Sequence, residues 1–172
     1  MNHGDITVEG INDEEWLEKT RSSLRILGFT ESEVEQIFSL LSAILTLGNI
    51  SFVGEDEVRI KDEDPFKDFC QLLGVYEGIA RQALTVRIFT AAKRRTGYRV
   101  PLTYAEAIEN RDALAKMLYL RLFDWLVKKL NKSLKDSPEL AEHNFIGILD
   151  IYGFEIFQKN SLEQFCINYA NE

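Results

Sequence analysis

Phe145-Ile146-Gly147-Ile148-Leu149-Asp150-Ile151-Tyr152-Gly153-Phe154-Glu155 decides how this chain is read. The run from Phe145 to Leu149 lacks polar alternation, which suits a strand buried on both faces rather than one facing water. A carboxylate at the C-terminal end of such a strand lies where open α/β sheets place ligand chemistry. Asp150 is followed three residues later by Gly153, and that spacing has a specific use. The carboxylate can hold a Mg2+-bound water, while a residue without a Cβ lets a backbone N–H come close to a terminal phosphate. Release of that contact after hydrolysis frees the segment to move, which turns a phosphate into a conformational signal. Alone, D-x-x-G is a weak motif, and a plain turn after a strand is the competing reading. No glycine in the chain is followed by lysine, so the G-x-x-x-x-G-K-[ST] phosphate cradle is absent.

Working outward, Ser161 with Gln164 opens a capped helix that runs toward Glu172. Upstream, Asp136-Ser137-Pro138 breaks the chain direction after the longest element, a helix from about Tyr104 to Asn131. Thr103 with Glu106 forms its capping box, Lys128 and Lys129 stand near its negative dipole end, and Ile108, Leu114, Leu118, Leu122, Trp125 and Leu126 make its apolar stripe. Val86–Phe89 and Tyr98–Val100 read as strands flanking Lys93-Arg94-Arg95-Thr96, three cations and a hydroxyl on an exposed turn. Asp64-Pro65 reads as an N-cap followed by a proline at the first helical position, with Gly74 closing that helix. Ile50–Phe52 and Val58–Ile60 suggest a small hairpin. A helix from Glu31 to Leu47 carries a Thr30/Glu33 capping box and Gly48 as its stop, and another from Asp13 to Ile26 sets Trp16, Leu17, Thr20 and Leu24 on one side.

With 172 residues, 45% of them hydrophobic, the chain has enough apolar surface to offset its conformational entropy and form a core. A net charge of −8 argues against general binding to nucleic acid or an anionic membrane. Cys70 and Cys166 are too few for a disulfide framework or a four-thiolate metal site, so a reducing, cytoplasmic setting is expected. The N-terminus has no signal-peptide pattern, and Leu40–Leu47 is too short to span a bilayer. No linker, repeat or domain boundary interrupts the sequence. The expected fold class is mainly α with a few strands.

Taken together, Leu149-Asp150-Ile151-Tyr152-Gly153-Phe154-Glu155-Ile156-Phe157 and Asn160-Ser161-Leu162-Glu163-Gln164-Phe165-Cys166-Ile167-Asn168-Tyr169-Ala170-Asn171-Glu172 closely resemble the switch II and relay-helix segment of myosin motor domains. Arg111–Lys116 through Arg121–Val127, and Leu24–Phe29 through Ile44–Ile50, agree in order, so the resemblance covers nearly the whole chain. It implies a fragment of a P-loop NTPase-type motor, α/β in its parent. Residues 1–135 would belong to the upper 50-kDa region, 144–155 to a strand and switch II, and 160–172 to the start of the relay helix. The phosphate loop and switch I would lie upstream, and most of the actin-binding lower half, the converter and the lever arm downstream.

The resemblance assigns Asp150 to the water shell of Mg2+, Gly153 to a backbone contact with the γ-phosphate of ATP, and Glu155 to a pair with a switch I arginine that helps position the lytic water. It implies F-actin and the remainder of the motor domain as partners, with a light chain or calmodulin held only by regions outside this sequence, and a place at the actin cytoskeleton. Residues 91–100 match the surface loop that meets actin, with Lys93, Arg94, Arg95, Tyr98 and Arg99 as contacts. Thr96, sixteen residues before Asp112, falls on the family's acidic or phosphorylatable position. Three preceding cations suit a basophilic kinase, and phosphorylation would add about −1.5 to −2 charges. Tyr152, where conventional muscle-type myosins carry a small residue, favours an unconventional class, and Thr96, the basic run and Tyr98-Arg99-Val100-Pro101 together resemble the class I pattern most closely.

Two functions of different class follow. One is part of an actin-based motor ATPase, silent as this chain alone because the phosphate loop is missing. The other is a non-catalytic, mainly helical interaction module.

Overall fold

The computed structural model describes residues 9–90, 97–134, 146, 147, 149 and 151–172. These fall into two compact units, 1–135 and 136–172. The architecture is mainly helical with short antiparallel strands.

In the first unit, helix α1 spans Asp13–Ile26 and is capped by Asn12, whose Oδ1 accepts the Glu15 N–H at 3.3 Å. None of its residues is fully buried, and Trp16 is 58% exposed, so the apolar side read from the sequence is largely uncovered. Gly28, at φ +81°, turns the chain and sends Phe29 into the interior. Helix α2 spans Glu31–Asn49 and opens with both halves of the expected capping box: Thr30 Oγ1 accepts the Glu33 N–H, and the Glu33 carboxylate accepts the Thr30 N–H at 2.8 Å. Gly48 does not stop this helix. The turn comes at Ile50, which is fully buried and whose carbonyl accepts a hydrogen bond from Arg111 Nη1 at 2.8 Å. A core anchor and a side-chain cap end the helix where a glycine two residues earlier does not.

Strands β1 (Phe52–Val53) and β2 (Arg59–Ile60) pair antiparallel, with Phe52 opposite Ile60. Helix α3 covers Glu63–Leu73, so its N-cap is Asp62 rather than Asp64, and Pro65 sits inside the first turn. Proline is harmless there because the first N–H groups of a helix have no intrahelical acceptor. The Asp62 carboxylate is turned instead to the Ser51 hydroxyl, at 2.8 Å. Gly74 closes α3 in the left-handed conformation, φ +70°, as expected. Helix α4, Glu77–Thr85, was not anticipated: at nine residues it presents just Ala80 and Leu84 as buried positions, too short a pattern to read.

Strands β3 (Val86–Thr90) and β4 (Gly97–Pro101) form an antiparallel ribbon in which Ile88 faces Arg99 and Phe89 faces Tyr98. Its foot is fixed by Leu102, 4% exposed, whose N–H donates to Thr85 O and whose carbonyl accepts from Val58 N–H. Helix α5, Tyr104–Ser133, has its Thr103/Glu106 capping box intact. At about 1.5 Å per residue it is long enough to serve two hydrophobic clusters. Ala107 joins the larger one, with Leu47, Ile50, Phe66, Phe69 and Leu84, and Leu122 joins the smaller one around Phe29, Val34 and Ile37. Lys129 is engaged laterally: its ammonium pairs with Glu33 and lies over the Phe29 and Trp125 rings, while Lys132 occupies the last turn.

In the second unit the described residues of the apolar run, Ile146, Gly147 and Leu149, form no strand, and Ile146 and Leu149 are 99% and 81% exposed. An extended segment becomes a strand only when neighbours pair its N–H and C=O groups, and the described residues offer it none. Helix α6 spans Leu162–Asn171, with Ser161 as its N-cap.

Candidate functional site

The residues just after the apolar run are held by side-chain amides. Asn168 Oδ1 accepts the Glu155 N–H at 2.9 Å, and Asn168 Nδ2 donates to the Glu155 carbonyl at 2.7 Å. Asn171 Nδ2 donates to the Gly153 carbonyl at 3.3 Å. At the turn into α6, the Phe157 N–H and carbonyl both bond to the Asn160 side chain, at 2.9 and 2.7 Å. The Glu155 carboxylate accepts from Gln164 Nε2 at 3.5 Å, which also reaches Asn168 Oδ1 at 3.4 Å.

Gln164, Asn168 and Asn171 stand at i, i+4 and i+7, so they share one face of α6. Ser161 Oγ accepts the Gln164 N–H, and the Ser161 hydroxyl holds the Glu163 carboxyl below its ordinary pKa. Gln164 does not reach back to the N-cap as a capping box would; its side chain is committed to Glu155 and Asn168. The signal for this amide face was present in the sequence as three amides at helical spacing among apolar residues, and it was missed because each amide alone reads as surface.

Among the described residues, nothing requires a glycine at position 153. A Cβ built on it meets no heavy atom within 4 Å, and it is not among the glycines at positive φ. By contrast Gly54, at φ +102°, is required by its turn. The open space at Gly153 leaves its backbone accessible to an outside group. Asp150 lies outside the described residues, and among those described no three His, Cys, Asp or Glu side chains converge on a metal position.

The second candidate region is the β3–β4 ribbon. Tyr98 is 61% exposed, and Arg99 is also exposed. Lys93, Arg94, Arg95 and Thr96 lie outside the described residues. The ribbon is tied to the start of α5 by an ion pair of Arg87 with Glu106 at 3.1 Å. Hydrogen bonds from Thr103, then the charge of Arg87, hold the Glu106 carboxyl below its ordinary pKa. No helix among the described residues is long and apolar enough to cross a membrane.

The family model described as Myosin head (motor domain) matches residues 1–172. Myosin-1 of Aspergillus terreus is 46% identical over 170 residues, covering 96% of this chain and 14% of that protein. Myosin-1 of Schizosaccharomyces pombe is 44% identical over 172 residues, covering 97% and 14%. Unconventional myosin-Ib of Homo sapiens is 40% identical over 171 residues, covering 96% and 15%. The chain therefore spans about one seventh of the length of the curated relatives it matches.

Proposed function

Because the chain belongs to the myosin head (motor domain) family, we propose that it forms part of a class I-like actin-based motor that couples ATP hydrolysis to movement along actin filaments at the cytoskeleton. The observation that carries this reading is Gly153: a glycine that no described residue of the chain requires, on a peptide gripped by a helix. Close approach of an external phosphate explains both the missing Cβ and the grip.

In the proposed roles the Gly153 N–H meets the terminal phosphate, Asp150 holds a water of the metal's shell, and Glu155 pairs with an arginine supplied from outside this chain. MgATP, when bound, supplies the phosphoryl group that is transferred to water. The residues of this chain orient and report: Gly153 and Glu155 sit on one short peptide, and α6 is bonded to both. The chain by itself is proposed to lack ATPase activity, since it has no phosphate cradle.

Large exposed apolar side chains support a further proposal, packing against the remainder of the motor domain. Phe165 and Tyr169 on α6 are 66% and 81% exposed, and Leu120 and Phe123 on α5 are 57% and 55% exposed. For the ribbon, we propose that Lys93, Arg94, Arg95, Tyr98 and Arg99 contact F-actin and that Thr96 is a phosphorylation switch.

Gly153→Ala in the full motor tests the nucleotide role. The added methyl clashes with none of the described residues, so folding and MgATP binding are expected to persist while the phosphate burst is lost; a wild-type burst refutes the reading. The switch is tested by comparing Thr96→Glu with Thr96→Ala, and equal actin-activated ATPase rates would remove it.

A further inference from the structure

Ser133 ends α5 and ties it to the turn between α1 and α2. Its hydroxyl donates to the Leu27 carbonyl at 2.7 Å, 106 residues away in sequence. The fit is close, since a Cβ placed on Gly28 would stand 3.7 Å from Ser133 Oγ. Leu27 is the C-cap of α1, and its turn is closed by three backbone bonds, from the Leu27 N–H to Ser23 O, the Gly28 N–H to Arg25 O and the Phe29 N–H to Leu24 O, each at 3.0 Å. Phe29 then enters the smaller hydrophobic cluster, edge-on to Trp125 of α5 with ring centres 5.9 Å apart.

The serine that makes this tie is exposed. It stands in the run Lys128-Lys129-Leu130-Asn131-Lys132-Ser133-Leu134-Lys135, with cations five, four and one residues before it and another two residues after it, in a chain whose net charge is −8. The last turn of a helix opens at little cost, so the groove of a modifying enzyme can take this segment in extended form.

We infer that Ser133 is a phosphorylation site for a basophilic kinase, and that the phosphate unfastens the end of α5 from the α1–α2 turn. In the transfer, Ser133 Oγ forms a bond to the γ-phosphorus of the kinase's ATP as that phosphorus parts from ADP, and the hydroxyl proton leaves to the kinase's carboxylate base. The product, as a dianion, has no proton to give to the Leu27 carbonyl. It sets about −1.5 to −2 charges against that oxygen and against the negative end of the α5 dipole. It also stands four residues after Lys129 on the same helix face, where it competes with the Glu33 carboxylate for the Lys129 ammonium. Glu33 completes the α2 capping box with Thr30, so one phosphate loosens both the turn and the start of the helix that follows it. None of this depends on the nucleotide role proposed for Gly153, whose failure would leave these readings unchanged.

The test incubates the full motor with the catalytic domain of protein kinase C and ATP, with a peptide of residues 128–135 as the kinase's control, and reads modified positions by mass spectrometry. Phosphate is expected on Ser133 in both. Incorporation at Ser133 is expected to be largely lost in the motor carrying Lys128→Gln and Lys132→Gln together, which leaves Lys129 and its partner in place. Hydrogen exchange at the Leu27, Gly28 and Phe29 amides is expected to rise about tenfold on phosphorylation, the factor corresponding to a lost hydrogen bond together with the dipole repulsion. The rise should be smaller in unmodified Ser133→Ala, which loses the same bond and gains no charge, and absent in unmodified Ser133→Thr, which keeps the hydroxyl. A motor left unmodified at Ser133 while the peptide is phosphorylated would overturn the site, as would a peptide that is itself refused or full incorporation in the double lysine variant. Phosphate on Ser133 with wild-type exchange at the three amides would overturn the switch.

Discussion

Phe66→Ala probes the core that fixes the ribbon's foot. Phe66 is fully buried in the larger cluster, and the Arg81 guanidinium lies 4.5 Å from its ring centre while also bridging to Glu63 with bonds of 2.8 and 2.7 Å. A buried Phe removes about 150–250 Å2 from water, which at about 25 cal/mol per Å2 bounds the transfer contribution near 4–6 kcal/mol. Alanine retains part of that area and the denatured chain hides some, while the residual cavity adds a cost, so about 3–5 kcal/mol is expected. For a chain of this size that corresponds to a fall in Tm of roughly 6–20 °C.

The assay is urea unfolding followed by tryptophan fluorescence. Trp16 and Trp125 both lie in the unit 1–135, so the signal reports that unit. Val53→Ala, at a half-exposed position on β1, is the control and should stay within about 0.5 kcal/mol of wild type. A loss below about 1 kcal/mol for Phe66→Ala, with m unchanged, would refute the packing described, because a fully buried aromatic cannot be truncated so cheaply.

Three further outcomes are expected. The Glu33 carboxyl is held down at about 2, against an ordinary 4.5, first by Lys129 and then by the Thr30 hydrogen bonds. Its folded pKa lies below its unfolded one, so its contribution is complete above about pH 4.5 and is lost as pH falls toward 2; Lys129→Met should flatten that part of a urea-midpoint-against-pH curve, and an unchanged curve would count against the pair. Gly54→Ala puts a Cβ 2.4 Å from the Glu57 carbonyl at φ +102° and should cost at least about 1–2 kcal/mol by the same urea assay. Gly78→Ala, whose nearest contact is the ring edge of the exposed Tyr76 side chain at 2.7 Å, should be accommodated by a side-chain swing and stabilise α4 by up to about 1 kcal/mol; a destabilised protein would show that ring to be fixed.

The sequence by itself determined the helices whose signals are local. Thr30/Glu33, Thr103/Glu106 and Ser161 act within four residues of the helix they open, and Gly74 acts at the residue it occupies. The ribbon strands were legible for the same reason, and so was the family, which is written in runs of neighbouring residues. Tertiary structure alone decided what depends on partners distant in the chain. Ile50 ends α2 because Arg111, 61 residues away, caps its carbonyl, and Lys129 leaves the dipole end of α5 because Glu33, 96 residues away, attracts it. Gln164 abandons the N-cap for Glu155, and Asn168 becomes a backbone mimic because α6 folds against the peptide before it. In the strand expected over 145–149, the described residues Ile146, Gly147 and Leu149 show the same rule in reverse. Apolar composition gives a segment the tendency to be buried and extended, but its backbone groups form a strand only where another segment pairs with them, and residue order along one chain does not specify that neighbour.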